Sequence, residues 1–157
     1  MKNLVLFFIL FYSVKSFSQD SIRLKRIDSI VKQINNSNYS IQQDSTIKDF
    51  PQQGLWIKTL MTTLSDSNQL RKYVNDVRSR TTINGIAEET SASNSFYFYQ
   101  NKLVKVEEFM IKNGKELYAD WYYADEKPLY YSLKHERSEE RAIFLLNLSK
   151  TMVKTIH

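Results

Sequence analysis

SFYFYQNKLVKVEEFMIKNGKELYADWYYADEKPLYYSLK, residues 95–134, is the stretch that decides the fold of this chain. Ser95–Gln100, Leu103–Lys112, Glu116–Ala124 and Pro128–Lys134 are short runs rich in aromatic and β-branched residues. Asn101-Lys102, Asn113-Gly114 and Asp125-Glu126-Lys127 separate them as turn signals. Such a cadence predicts a four-stranded antiparallel meander. The anchor is Asn113-Gly114, because a type I′ hairpin turn needs positive φ at both central residues, which Asn and Gly tolerate. That turn sets Lys112 opposite Lys115 and fixes the register.

Alternation along the strands then sorts the side chains into two faces. Val104, Val106, Met110, Leu117, Ala119, Trp121 and Tyr123 share an apolar face, on which Glu108 is the misfit, expected near an edge. A three-residue turn at 125–127 pairs Tyr123 with Leu129, Trp121 with Tyr131 and Ala119 with Leu133. Both turns thus assign the same apolar face, as a correct register must. The other face is mixed, with Tyr118, Tyr122, Tyr130, Phe109, Lys105, Lys134, Ser132, Glu107 and Asp120. For the first run, a two-residue loop brings Phe96 and Phe98 to the mixed face, whereas a three-residue loop brings Tyr97 and Tyr99.

Outward from the meander, Ser138–Ile156 carries Ala142, Leu145, Leu146, Met152, Val153 and Ile156 at helical spacing, widened by Ile143, Phe144 and Leu148. This predicts a C-terminal helix laid across the apolar sheet face. Glu139 and Glu140 complement its positive end, and Lys150, Lys154 and His157 its negative end. Toward the N-terminus, Leu24, Ile27, Ile30, Val31 and Ile34 recur every three or four residues. Arg23, Lys25, Arg26, Lys32 and Gln33 fill the opposite side. An amphipathic helix from Asp20 to about Asn36 follows, with Asp20 or Ser21 as its N-cap. Its aliphatic stripe, free of Trp and Phe, suits core packing better than a membrane surface. Between helix and meander the signals weaken. Residues 37–54 are polar and irregular and read as a loop, as do 79–94. Leu55–Leu64 and Gln69–Val77 read as a hairpin around Ser65-Asp66-Ser67-Asn68, although Leu70, Tyr73, Val74 and Val77 also fit a helix. The expected fold class is α+β: an N-terminal helix, an antiparallel meander of four to six strands and a C-terminal helix on one sheet face.

The first eighteen residues carry a different message. Met1-Lys2-Asn3, the apolar run Leu4–Tyr12 and the small residues Ser16 and Ser18 have the layout of a secretory signal peptide, cleaved after Ser18. The apolar run is about half the ~20 residues a spanning helix needs, which argues against a membrane anchor. Cleavage leaves residues 19–157 as one domain. It also removes Lys2 and Lys15, so Lys+Arg falls from 22 to 20 against 17 Asp+Glu, a net charge of +3. That weak, dispersed excess does not make a nucleic-acid footprint. The chain has no cysteine, which excludes disulfides, a lipid-bearing Cys and thiol chemistry. The expected location is secreted or periplasmic.

The chemistry available to such a domain is narrow. His135 and His157 are the only histidines, so zinc sites and His-activated nucleophiles lack their parts. No Gly-x-Ser-x-Gly elbow or phosphate-cradling glycine loop is present. No cofactor or metal is expected. The reading that remains is a non-catalytic binding or interaction module whose tyrosine-rich face (Tyr118, Tyr122, Tyr130, Phe109 and Lys105) meets a protein or glycan outside the cytoplasm. Two alternatives share that face. Glu107 and Asp120 lie directly opposite each other, which fits a hydrolase-like carboxylate pair unless Lys105 or Lys134 neutralises them. Tyr118, Tyr122 and Tyr130 would alternatively form a carbohydrate-stacking platform.

Overall fold

A computed structural model describes residues 2–67, 69–133 and 136–156, with side chains placed from Gln19 onward except at Ile83 and Ile156. Lys134, His135 and His157 lie outside the described residues, as does Asn68 in the first hairpin turn. The chain is α+β. Helix α1 (Lys2–Asn36) leads into strands β1 (Ser40–Phe50), β2 (Leu55–Asp66), β3 (Gln69–Ile83), β4 (Ile86–Tyr99), β5 (Lys102–Lys112), β6 (Lys115–Ala124) and β7 (Lys127–Tyr131). Helix α2 (Ser138–Ile156) closes the fold. The strands form one antiparallel sheet in sequence order, β1 to β7.

Seven strands replace the expected four to six because 37–54, read as a loop, holds an additional strand, while 79–94, also read as a loop, only lengthens two expected ones. Residues 37–54 contain β1, exposed along its whole length, followed by a 3-10 turn at Pro51–Gln53. Residues 79–94 are the end of β3 and the start of β4, joined by a turn at Asn84-Gly85 with φ of 52° and 79°. Residues 40–50 and 84–89 are exposed, and 90–94, though half-buried, are small or polar, so no hydrophobic alternation marks either stretch. The predicted hairpin over 55–77 forms, as β2 and β3. So does the Asn113-Gly114 turn, with Lys112 opposite Lys115.

Three one-residue irregularities line one end of the sheet. Each leaves a residue without an opposite partner: Arg71 in β3, Val104 in β5 and Leu129 in β7. A bulge of this kind carries its extra side chain to the face that strict alternation denies it. Val104 therefore leaves the apolar face predicted for it and joins Tyr97 and Tyr122 on the other. Leu103 takes the apolar side with Phe98. The turn before β7 is also shorter than expected: Asp125 and Glu126 both hold positive φ, and Tyr123 pairs with Pro128 instead of Leu129. The loop before β5 is Gln100-Asn101, a two-residue loop. Yet the bulge at Val104 places Tyr97, not Phe96 and Phe98, on the mixed face.

Each face of this end is covered by one helix. On the apolar face, Leu70, Phe96, Phe98, Leu103, Val106, Trp121 and Tyr123 pack against Ala142, Leu145 and Leu146 of α2. Ile143, Phe144 and Leu148 point outward and remain exposed, so the α2 stripe is narrower than its composition implied. Glu108 sits on this face in the interior of the sheet, not at an edge. It accepts a 2.7 Å hydrogen bond from the Trp121 indole N–H and an ion pair from Arg141 of α2. The mixed face receives α1, whose Ile27, Val31 and Ile34 are buried against Tyr97 and Tyr122, with Leu24, Ile30, Val104 and Leu129 around them. Asp20 and Ser21 fall inside α1, which runs back to Lys2, so neither caps it. Among the described residues no helix is long and apolar enough to cross a membrane.

Candidate functional site

The mixed face divides into a covered half and an open half. In the covered half, Lys105 is 7% exposed beneath α1. Its ammonium donates to Glu107 at 2.9 Å and lies 3.6 Å from Asp28 of α1 and 3.7 Å from Asp120. It also stands 4.8 Å over the Tyr122 ring, a cation–π distance. Glu107 and Asp120 do face each other across β5 and β6. Lys105 is the cation between them, which offsets the repulsion that two opposed carboxylates feel. The Tyr97 hydroxyl donates to Glu107 at 2.8 Å, and the Tyr122 hydroxyl donates to Asp28 at 2.9 Å. Lys72 extends the cluster, stacking over Tyr97 at 4.7 Å and donating to Asn35 at 2.9 Å.

The proton affinities follow this geometry. Burial alone would lower the pKa of Lys105, but hydrogen bonding to Glu107 and Tyr122 outweighs it and holds the ammonium charged well above its usual range. Burial alone would likewise raise Glu107, yet the hydrogen bonds from Lys105 and Tyr97 prevail and leave its carboxyl below the usual value. Asp120 goes the other way, raised chiefly by burial. Tyr97 is pushed up to about 12, first by burial and then by its bond to Glu107. Each carboxylate is therefore already engaged, in a network that ties α1 to β4, β5 and β6. Among the described residues no group of His, Cys, Asp or Glu is placed to hold a metal ion.

The open half continues the same face toward the Asn113-Gly114 turn. Phe109 and Tyr118, cross-strand partners, stack at 4.7 Å with an interplanar angle of 31°. Tyr118 is 67% exposed, and its hydroxyl donates to Glu116 at 2.8 Å. Beside Phe109 runs a groove of about 420 Å³ lined by Lys58, Leu60, Asp76, Arg78 and Ser93. It continues into a second of about 560 Å³ with Trp56, Arg80, Glu89 and Ile111. Arg80 is ion-paired with Glu89 across β3 and β4. Neither groove is lined by Glu107 or Asp120.

The structure thus separates the residues singled out from sequence. Phe109 and Tyr118 stand together in the open half. Lys105 and Tyr122 belong to the buried network under α1. Tyr130 is exposed at the β7 edge, 5.9 Å from the Tyr122 ring. Tyr118, Tyr122 and Tyr130 consequently do not present one continuous platform, because α1 occupies its middle member. Sequence reasoning missed Trp56, Lys58, Arg78 and Asp28. Trp56 and Lys58 sit on a strand whose side chains the sequence assigns to no face, and Arg78 lies just past the hairpin read over 55–77. Asp28 was legible only as a polar residue on a helix whose docking site was unknown. Comparison with protein-family models, curated proteins and solved structures finds no match for this chain.

Proposed function

We propose that this protein is a small exported binding module without catalytic activity, and that it engages its partner through the open half of the aromatic sheet face. The observation that carries this reading is the division of that face. Helix α1 and Lys105 satisfy the carboxylates and tyrosines of one half, while Lys58, Leu60, Arg78 and Phe109 line an open amphipathic groove in the other, with the exposed Tyr118 stacked on Phe109 beside it. Rigid aromatics beside an arginine are the residue types that dominate binding energy at protein interfaces. An extended protein segment outside the cytoplasm suits a long open groove better than a small molecule does.

Export is supported by the sequence of residues 1–18, and Leu24, Ile27, Ile30, Val31 and Ile34, which pack on the sheet, all lie beyond the expected cleavage at Ser18. The carboxylate-pair reading loses its main support, because Lys105 sits between Glu107 and Asp120.

The test is site-specific photocrosslinking in the exported fraction of the source organism, with the photoreactive residue at position 118 or 122. Adducts from position 118 and none from position 122 are expected. Adducts from position 122 alone, or none from position 118, would overturn the proposed surface. Glycan adducts at position 118 in place of protein would keep the surface and change the partner.

A further inference from the structure

The two edges of the sheet are not alike. The β7 edge is five residues long, carries Pro128 and is interrupted by the bulge at Leu129. These are devices that keep a strand edge from pairing with another chain. The β1 edge has neither proline nor bulge within Ser40–Phe50, and every residue of it is exposed. Its backbone orientation can be read from one bond. The Ser45 N–H is accepted by the Asp44 carboxylate at 2.8 Å, so it points away from β2. By alternation the odd-numbered residues 41–49 turn their backbone groups outward, and the even-numbered ones turn them to β2.

We propose that β1 pairs with β1 of a second copy of this chain, two-fold about Thr46, to give one continuous fourteen-stranded sheet. The charge pattern of the strand selects both the occupant and the register. A two-fold axis normal to the sheet keeps each residue on its own face, so only registers in which paired residue numbers sum to an even value are allowed. Centring on Asp44 or on Lys48 sets like charges directly opposite each other. Centring on Thr46 sets Asp44 opposite Lys48 of the second copy, twice by symmetry. These fall at non-hydrogen-bonded positions, where side chains approach most closely. Ser45 and Ile47 of opposite copies then exchange the backbone bonds, and Asp44 trades its local bond to Ser45 for the ammonium.

The same register gives the exposed Phe50 a place. It falls opposite Gln42, which with Leu148 and Met152 lines a groove of about 490 Å³ between β1 and α2. The second copy's Phe50 thus meets the mouth of that groove, on the face where Leu148 stands exposed. An isologous contact of this kind closes on itself and stops at two copies.

Sedimentation velocity on protein purified from cells expressing the full chain tests the pairing. The wild type should sediment as a dimer. Asp44→Lys and Lys48→Asp each replace two attractions by two repulsions and should raise the dissociation constant by about tenfold or more. Mixing the two single variants should restore a dimer, now a heterodimer. In it the lysine introduced at position 44 of one chain meets the aspartate introduced at position 48 of the other, and the native Lys48 and Asp44 meet at the symmetric site. Ile47→Pro removes an outward N–H without touching the β1–β2 ladder and should give a monomer that still folds, with the circular dichroism of the wild type. A wild type that stays monomeric into the millimolar range, single variants that dimerise as the wild type does, or open-ended oligomers would each overturn the proposal.

Discussion

Lys105→Met is the substitution that most exposes how the covered half of the sheet is held. The methionine fills the space of the lysine stem but removes the cation in contact with Asp28, Glu107 and Asp120, leaving Lys72 as a weaker attraction for Glu107 alone. Breaking a buried ion pair costs about 3–5 kcal/mol, since the surviving partners remain charged and unpaired. Here the three carboxylates are 39–53% exposed and partly screened. The expected loss at pH 7 is therefore smaller, about 2–4 kcal/mol. For a domain of this size that lowers the melting temperature by about 10 °C.

The sign of the pH dependence is fixed by the same contacts. Glu107, whose pKa is depressed in the fold, contributes stability above the ordinary carboxylate value of about 4.3 and loses it as pH falls through its folded pKa. The variant lacks that contribution and carries mutual repulsion instead. Its deficit against the wild type should be largest above about pH 5 and should close below about pH 4 as the carboxyls protonate. Asp120, raised by burial, should protonate first. Urea unfolding followed by circular dichroism from pH 3 to pH 8 measures the deficit (an experimental range set by the carboxylate values). Adding Glu107→Gln and Asp120→Asn to Lys105→Met should recover most of the loss. A Lys105→Met protein as stable as the wild type at pH 7, or a deficit that grows toward low pH, would refute the account of the network.

Three further outcomes are expected. Trp121→Ala should cost about 3–5 kcal/mol in chemical denaturation, because the indole is 2% exposed and its N–H is held by Glu108. Gly54→Ala should destabilise by about 1–3 kcal/mol: Gly54 holds φ +58°, and an added Cβ would lie 2.6 Å from the Thr82 carbonyl oxygen. Tyr97, raised to about 12, is neutral in the fold while the unfolded chain ionises near 10. Stability tied to it is thus complete below pH ~10 and lost as pH rises through 12, so alkaline unfolding followed by circular dichroism should set in over that window.

What the sequence disclosed follows burial closely. The α2 boundaries, the α1 stripe and the Asn113-Gly114 hairpin were legible because each pairs a strong local signal with apolar residues at a clear period. Asn84-Gly85 is the same dipeptide and also makes a turn. It went unread because Ser, Thr, Asn and Glu flank it on strands exposed toward that end. β1 failed for the same reason, with no buried side to imprint a pattern.

The face assignment of Val104 failed differently. A bulge is one extra residue, invisible to strict alternation, and it moves every side chain beyond it. The candidate site suffered most from the docking of α1. Its apolar stripe announced that it would pack, but nothing in it named the tyrosine face as its place, so Tyr122 and Lys105 could not be separated from Phe109 and Tyr118.

The separation of the covered from the open half is directly measurable because the chain has no cysteine. Tyr118→Cys and Tyr122→Cys each introduce a single thiol into a background with no other, and alkylation rates in the folded protein report which is covered. Position 118 should react at close to the rate of a free thiol, while position 122 should be protected until urea releases α1. Equal, rapid labelling at both positions would contradict it.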